Sequence, residues 1–272
     1  MQLVDTHCHI QSIGVKGNDH THSMWQKLNL TAEQVISSAA AAGVSQFICV
    51  GCDLSDSRLA LDFALSHNNC FAAIGIHPHE ARNYINKPKE KEKFLTLLNS
   101  SNKQKIIAIG ECGLDYFYNH SLAEDQRQML IFQIDLALKY NLPMIFHVRE
   151  AFNDFWSILD NFSQPIRGVL HSFTDNHDNL VLAIQRGLYI GVNGISTFTK
   201  DPQQLAMIKS IPLDRLLLET DAPYLTPVPY RGNINEPKHV RTVAEFLTEL
   251  RGESLEQIAL FTTNNAHLLF GI

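Results

Sequence analysis

Short runs of Val, Ile, Leu and Phe alternate along the chain with longer stretches whose apolar residues recur at helical spacing. Strands covered on both faces read as continuous apolar runs, and the helices that cover them read as amphipathic ones. The runs predict strands near Gln2 to Thr6, Gln46 to Gly51, Phe71 to Ile76, Ile106 to Gly110, Pro143 to Phe146, Arg167 to Leu170, Tyr189 to Val192 and Leu216 to Leu218. Eight strand-helix alternations in 272 residues predict an α/β fold, a (β/α)8 TIM barrel, as one domain over 1–272. An open doubly wound sheet gives a similar pattern, but the number of strands favours the barrel.

Helix boundaries follow from local chemistry. Thr31 with Gln34, and Ser121 with Glu124, match the capping box, in which a hydroxyl and an amide or carboxyl satisfy orphan N–H groups. Gly43 suits the position just after the first helix. The longest helix is expected from about Leu122 to Tyr140, stopped by Asn141 and Pro143, and two more near Lys238 to Arg251 and Leu255 to Leu269. Gln11 to Leu30 and Ala222 to Pro237 read as long loops. No repeat, low-complexity tract or composition shift marks a domain boundary.

Composition narrows the setting. Hydrophobic residues make up 45% and charged residues 18%, as in a soluble globular protein. No apolar run approaches the roughly 18 residues a membrane span needs, and Met1 to Thr6 lacks signal-peptide features. The five cysteines, Cys8, Cys49, Cys52, Cys70 and Cys112, are odd in number and scattered, which suits reduced thiols and a cytoplasmic location. A monomer is the expected state. The net charge of -6 argues against sequence-independent coating of duplex nucleic acid, which needs clustered Lys and Arg.

The chemistry lies at the ends of the apolar runs. His7 and His9 end the first strand, and a spacing of two on an extended chain points both imidazoles the same way. Glu111, His147 and His171 come directly after the fourth, fifth and sixth runs, and Asp221 comes after the eighth. In a barrel of parallel strands these ends converge on the face where active sites are built. Imidazoles and carboxylates suit zinc, manganese, magnesium or iron, and six ligands suffice for two divalent ions if a carboxylate bridges.

Four segments carry a family resemblance: Asp5-Thr6-His7-Cys8-His9, Gly75-Ile76-His77-Pro78-His79, Gly110-Glu111-Cys112-Gly113-Leu114-Asp115-Tyr116 and Glu219-Thr220-Asp221-Ala222-Pro223-Tyr224-Leu225. They closely resemble the TatD family of metal-dependent deoxyribonucleases. Phe146-His147-Val148-Arg149, His171-Ser172-Phe173 and Arg231-Gly232 followed by Asn235-Glu236-Pro237 continue the match in order. The resemblance implies an amidohydrolase-type barrel that cleaves DNA phosphodiesters, typically from a 3′ end, with single strands or 3′ ends as partner. It further implies that His7, His9 and Asp221 hold one metal, His147 and His171 the other, and that Glu111 bridges. After His9 the family commonly continues with an apolar-acidic pair and a short loop, whereas this chain has Ile10-Gln11 and a longer polar segment.

Hydrolysing a phosphodiester requires a nucleophile at neutral pH, and a metal lowers the pKa of its water from about 15.7 towards roughly 7. Asp221 is expected to hold a metal and to take the proton of the attacking water. Arg149 and Arg231 are candidate phosphate contacts, because guanidinium presents a fork of donors, and His77 is a candidate donor to a phosphate oxygen. Glu219 is expected to orient a ligand from behind. His20 and His22, among Gly and Asn with no strand before them, are not expected to ligate. Cys49 and Cys52 read as buried small residues at a strand end, and Cys8 and Cys112 as packing residues.

Two other functions fit part of the pattern. One is an amidohydrolase-type enzyme acting on an amide, a lactone, a deaminase substrate or a small phosphorylated compound; a glutamate at the fourth strand, where many such enzymes carry a modified lysine, favours the nuclease. The other is a non-catalytic metal-binding module, for which six ligands at a barrel mouth are too open.

Overall fold

The structure, a computed structural model, describes residues 1–17 and 20–272. In chain order it contains β1 (Leu3–Cys8), α1 (His20–Leu28), α2 (Ala32–Ala41), β2 (Val44–Val50), α3 (Leu54–Ser66), β3 (Cys70–Ile74), α4 (Pro88–Leu98) and β4 (Ile106–Asp115). Then come α5 (Ala123–Tyr140), β5 (Met144–Arg149), α6 (Phe152–Leu159), β6 (Gly168–Leu170), α7 (His177–Gln185), β7 (Tyr189–Val192), α8 (Pro202–Ser210), β8 (Leu216–Leu218), α9 (Val240–Arg251) and α10 (Leu255–Phe270). The strand order follows the chain from β1 to β8, the succession of a (β/α)8 barrel.

The chain forms two compact units, one of residues 1–49 and 172–272 and the other of residues 50–171. In the first, β1 pairs with β2 and β7 with β8, both parallel, and a parallel bridge joins Cys8 to Ala222. In the second, β3, β4, β5 and β6 pair in sequence, all parallel. All residues of β1 and β4 are buried, and the first four of β4, Ile106 to Ile109, accordingly read as an apolar run instead of alternating. On α9 the buried residues Val240, Val243, Ala244 and Leu247 fall at helical spacing and form the stripe that turns inward.

Several boundaries depart from the sequence reading. Thr31 and Gln34 form the expected capping box, and Gly43, at φ +90°, ends α2. Ser121 does not cap α5: its hydroxyl donates to the His79 carbonyl and accepts from the Arg82 N–H, and Leu122 stands at the N-cap without a side-chain bond. The segment Gln11 to Leu30 is no continuous loop, because α1 occupies His20–Leu28 and buries Trp25, whose indole N–H donates to the His9 carbonyl at 3.0 Å. Asn18 and Asp19 of that segment lie outside the described residues. Glu111 does not end its strand, since β4 runs on to Asp115, and β5 likewise passes His147 to Arg149. Among the described residues, no helix is long and apolar enough to cross a membrane.

Candidate metal centre

In the first unit, the end of β1 is tied to the turn after β8. The Asp221 N–H donates to the His7 carbonyl at 2.8 Å, and the His9 N–H to the Ala222 carbonyl at 2.8 Å. Asp221 adopts φ +59°, so the chain reverses at this residue. Its Oδ1 lies 3.3 Å from His9 Nε2 and 3.7 Å from His7 Nε2. Behind the two imidazoles, buried Asp5 accepts from the His7 N–H and from both the N–H and the hydroxyl of Thr220. Burial pushes the Asp5 carboxyl up to about 8 against the pull of those hydrogen bonds. The loop beyond is braced by Asn235, whose amide donates to the carbonyls of Thr220 and Tyr224 at 2.9 and 2.6 Å. That bracing gives Asn235-Glu236-Pro237 a structural purpose.

Glu219, also fully buried, accepts from the Ser172 N–H at 2.6 Å and from Asn193 Nδ2 at 3.3 Å. A methyl group at Gly191 would fall on the Glu219 carboxylate, so the close approach requires glycine there.

The second unit gathers His77, Glu111, His147 and His171. Two glutamines on α5 set the frame. Gln133 exchanges hydrogen bonds with the N–H and C=O of Ile76, and Gln126 does the same at Asp115, fixing the residue before His77 and the end of β4. The backbones of Gly51 and Cys52 accept from the N–H groups of Glu111 and His77. A Cβ at Gly113 would collide with the His147 carbonyl, so its glycine lets β4 and β5 close up beside that histidine.

Around Glu111 Oε1 stand His147 Nδ1 at 3.0 Å, His77 Nε2 at 3.7 Å and His171 Nε2 at 4.0 Å. His77, Glu111 and His147 each offer a ligand atom within 4.8 Å of the others. Asp115 Oδ2 lies 2.9 Å from His147 Nε2 and 3.1 Å from His79 Nε2. Burial opposes the charged forms of this pair. Even so, the hydrogen bonds to Asp115 and Glu111 hold the His147 imidazolium up to about 9, and those from His147 and His79 keep Asp115 well below the carboxylate range. His77 goes the other way: burial outweighs the nearby Glu111 carboxylate and lowers it to about 3. Its Nδ1 accepts from the His79 N–H at 3.2 Å, which assigns the remaining proton of the neutral ring to Nε2.

The sequence-based candidates thus fall into two sets, His7, His9 and Asp221 in one unit and Glu111, His147, His171 and His77 in the other. Both present imidazoles around a carboxylate, a donor set that suits a divalent ion. The two arginines are seated on aromatic rings. Arg149 lies over the rings of Phe117 and Tyr118, at 3.9 and 4.8 Å, and Arg231 lies 4.0 Å from the Phe198 ring and donates to the Thr226 carbonyl. Cys8 and Cys112 are buried as expected, but Cys52 is only partly buried and its thiol lies 3.8 Å from Glu111 Oε2. Sequence reasoning assigned nothing to Asp115 and His79. Each falls at or near the end of a family-like segment, Gly110 to Tyr116 and Gly75 to His79, and an acid or imidazole closing a strand or turn is the signal that could have found them.

Residues 4–271 match the family described as TatD related DNase. The chain is 35% identical over 254 residues to the uncharacterized metal-dependent hydrolase YabD of Bacillus subtilis, covering 93% of this chain and 98% of YabD. It is 31% identical over 259 residues to the 3′-5′ ssDNA/RNA exonuclease TatD of Shigella flexneri, covering 90% and 97%. The crystal structure of YJJV, a TatD homologue from Escherichia coli, superposes with a TM-score of 0.87 at 29% identity over 99% of this chain and 98% of that one.

Proposed function

Because the chain belongs to the TatD-related family of metal-dependent hydrolases, we propose that it is a phosphodiesterase that shortens single nucleic-acid strands, DNA above all, from the 3′ end. The observation that carries this reading is the grouping of three imidazoles around Glu111 Oε1, within 4.0 Å. A glutamate at the fourth strand, where many amidohydrolase-type enzymes carry a modified lysine, favours this reading over one on amides or lactones. The name of the TatD relative supports nucleic acid as substrate. The five cysteines, with no disulfide among the described residues, fit work in a reducing cytoplasm.

His7, His9 and Asp221 would hold one divalent ion, and Glu111, His147 and His171 a second. Such ions supply a nucleophile at neutral pH and offset charge on the phosphoryl oxygens. The protein's own groups complete the chemistry. The Asp221 carboxylate takes the proton of the attacking water. Neutral His77, with its proton on Nε2, donates to a phosphoryl oxygen and is thereby a substrate contact rather than a ligand. Asp115 accepts from His147 Nε2, so that loss of the Nδ1 proton, which now faces Glu111, would free Nδ1 for an ion. Arg149 and Arg231 contact the phosphates that flank the scissile bond.

A 5′-labelled single strand tests the reading. Metal-stripped protein should leave it intact, and restoring manganese or magnesium should give a ladder shortening one nucleotide at a time from the 3′ end. Hydrolysis of cyclic amides or lactones, with the strand untouched, would overturn it.

A further inference from the structure

Seven residues link β4 to α5, and three of them expose apolar side chains: Phe117 at 49%, Tyr118 at 51% and Leu122 at 69%. Large apolar groups clustered in so short a loop call for a partner, because water is a poor neighbour for them. The rings are held in place. Phe117 and Tyr118 meet edge to face at 4.8 Å and 90°, and the Arg149 guanidinium lies over both. The Tyr118 N–H donates to Asp115 Oδ1 at 2.9 Å, and its ring stands 5.5 Å from that of His79. The same Asp115 binds His79 and His147 through Oδ2. The exposed rings therefore lie one side chain away from the His77, Glu111 and His147 cluster.

We propose that Phe117 is the stacking face, and Tyr118 the wall set at right angles to it, for the terminal unpaired base of a strand whose phosphodiester enters the Glu111 cluster, with Arg149 fixing the rings and facing the adjacent phosphate. The proposal rests on the phosphodiesterase reading and names the part of the substrate that reading leaves open. A protein of net charge -6 attracts polyanions poorly over its whole surface, so grip on a strand end has to come from short-range contacts. Aromatic faces provide it for any base, since every base has a π-face. Tyr118 already stacks on the His120 ring at 5.9 Å and 6°, so the face left for a base is that of Phe117, to which the Arg149 guanidinium adds positive charge. An internal packing role would bury these rings, and half of each is in solvent.

The test uses oligonucleotides ending in 2-aminopurine, whose fluorescence is quenched by stacking, and the same strands with an abasic terminal unit. Metal-free parent protein should quench the terminal 2-aminopurine, and a Phe117→Ser, Tyr118→Ser double variant should not. In metal-loaded protein, kcat/KM for the base-bearing strand over the abasic one should fall by roughly tenfold in the double variant, mainly through KM, and Tyr118→Trp should keep the preference. An equal preference in parent and double variant, or the absence of quenching by the parent, would overturn the proposal. So would a dimer that depends on these two rings while the base preference persists, because the patch would then serve self-association. The quenching arm needs no turnover: quenching without hydrolysis of any strand counts against the phosphodiesterase reading alone.

Discussion

Asp115 Oδ2 lies 2.9 Å from Nε2 of His147, whose other ring nitrogen faces Glu111 Oε1 at 3.0 Å. A carboxylate on one nitrogen of an imidazole fixes its tautomer and raises its basicity on the other. Asp115→Asn should therefore weaken metal binding by about 10- to 100-fold, the range that loss of such outer partners costs. Calorimetric titration of stripped protein with zinc or manganese checks it, and an unchanged dissociation constant in a folded variant would deny Asp115 this part.

One oxygen of Asp221 lies 3.3 Å from the imidazole of His9, just past β1, and 3.7 Å from that of His7, within β1. Asp221→Asn keeps the shape and removes the proton acceptor. Turnover should fall by about 10²- to 10⁴-fold, the usual worth of a general base, with circular dichroism and melting temperature little altered. A folded, metal-loaded Asn variant with parental turnover would remove Asp221 from the reaction.

Gln133 satisfies both backbone groups of buried Ile76, immediately before His77. Gln133→Leu would leave an N–H and a C=O without their partner, each costing about 1–3 kcal/mol. Urea unfolding should show a loss of about 2 kcal/mol or more, together with lower activity as His77 shifts. A smaller loss would mean that other groups replace the amide.

His239, buried, stacks on Tyr230 at 4.6 Å and binds Asn235 Oδ1 through Nδ1 at 2.8 Å. Burial, helped by Lys238, lowers its pKa from 6.5 to about 4. Between these values the unfolded chain takes a proton that the folded chain refuses, so stability falls as pH drops from 6.5 towards 4 and is full above 6.5. His239→Gln should flatten that part of the pH profile in urea titrations. An equally steep profile would show that other groups carry the acid sensitivity.

The candidate ligands stood out in the sequence for a simple reason: buried parallel strands are largely apolar runs, so a histidine or acid that closes one is conspicuous. Asp115 escaped because Cys112-Gly113-Leu114 after Glu111 reads as the start of a loop, while β5 pairs with β4 as far as Asp115 and Arg149. Helix α1 escaped because its sequence, His-Thr-His-Ser-Met-Trp-Gln-Lys-Leu, carries few apolar residues and buries Trp25 alone. The Ser121 pattern matched a cap, but the hydroxyl bonds to His79 and Arg82 instead. Local pattern predicts the available bond, and tertiary contacts decide which bond forms.

Metal content and hydrolysis of a single strand, followed on the same samples as stripped protein takes up manganese, test the proposed function most directly. Turnover should be absent at zero equivalents, rise with occupancy and level off at two ions per chain, with nucleotides leaving the 3′ end. Full turnover in the stripped protein, or none on any phosphodiester when fully loaded, would contradict it.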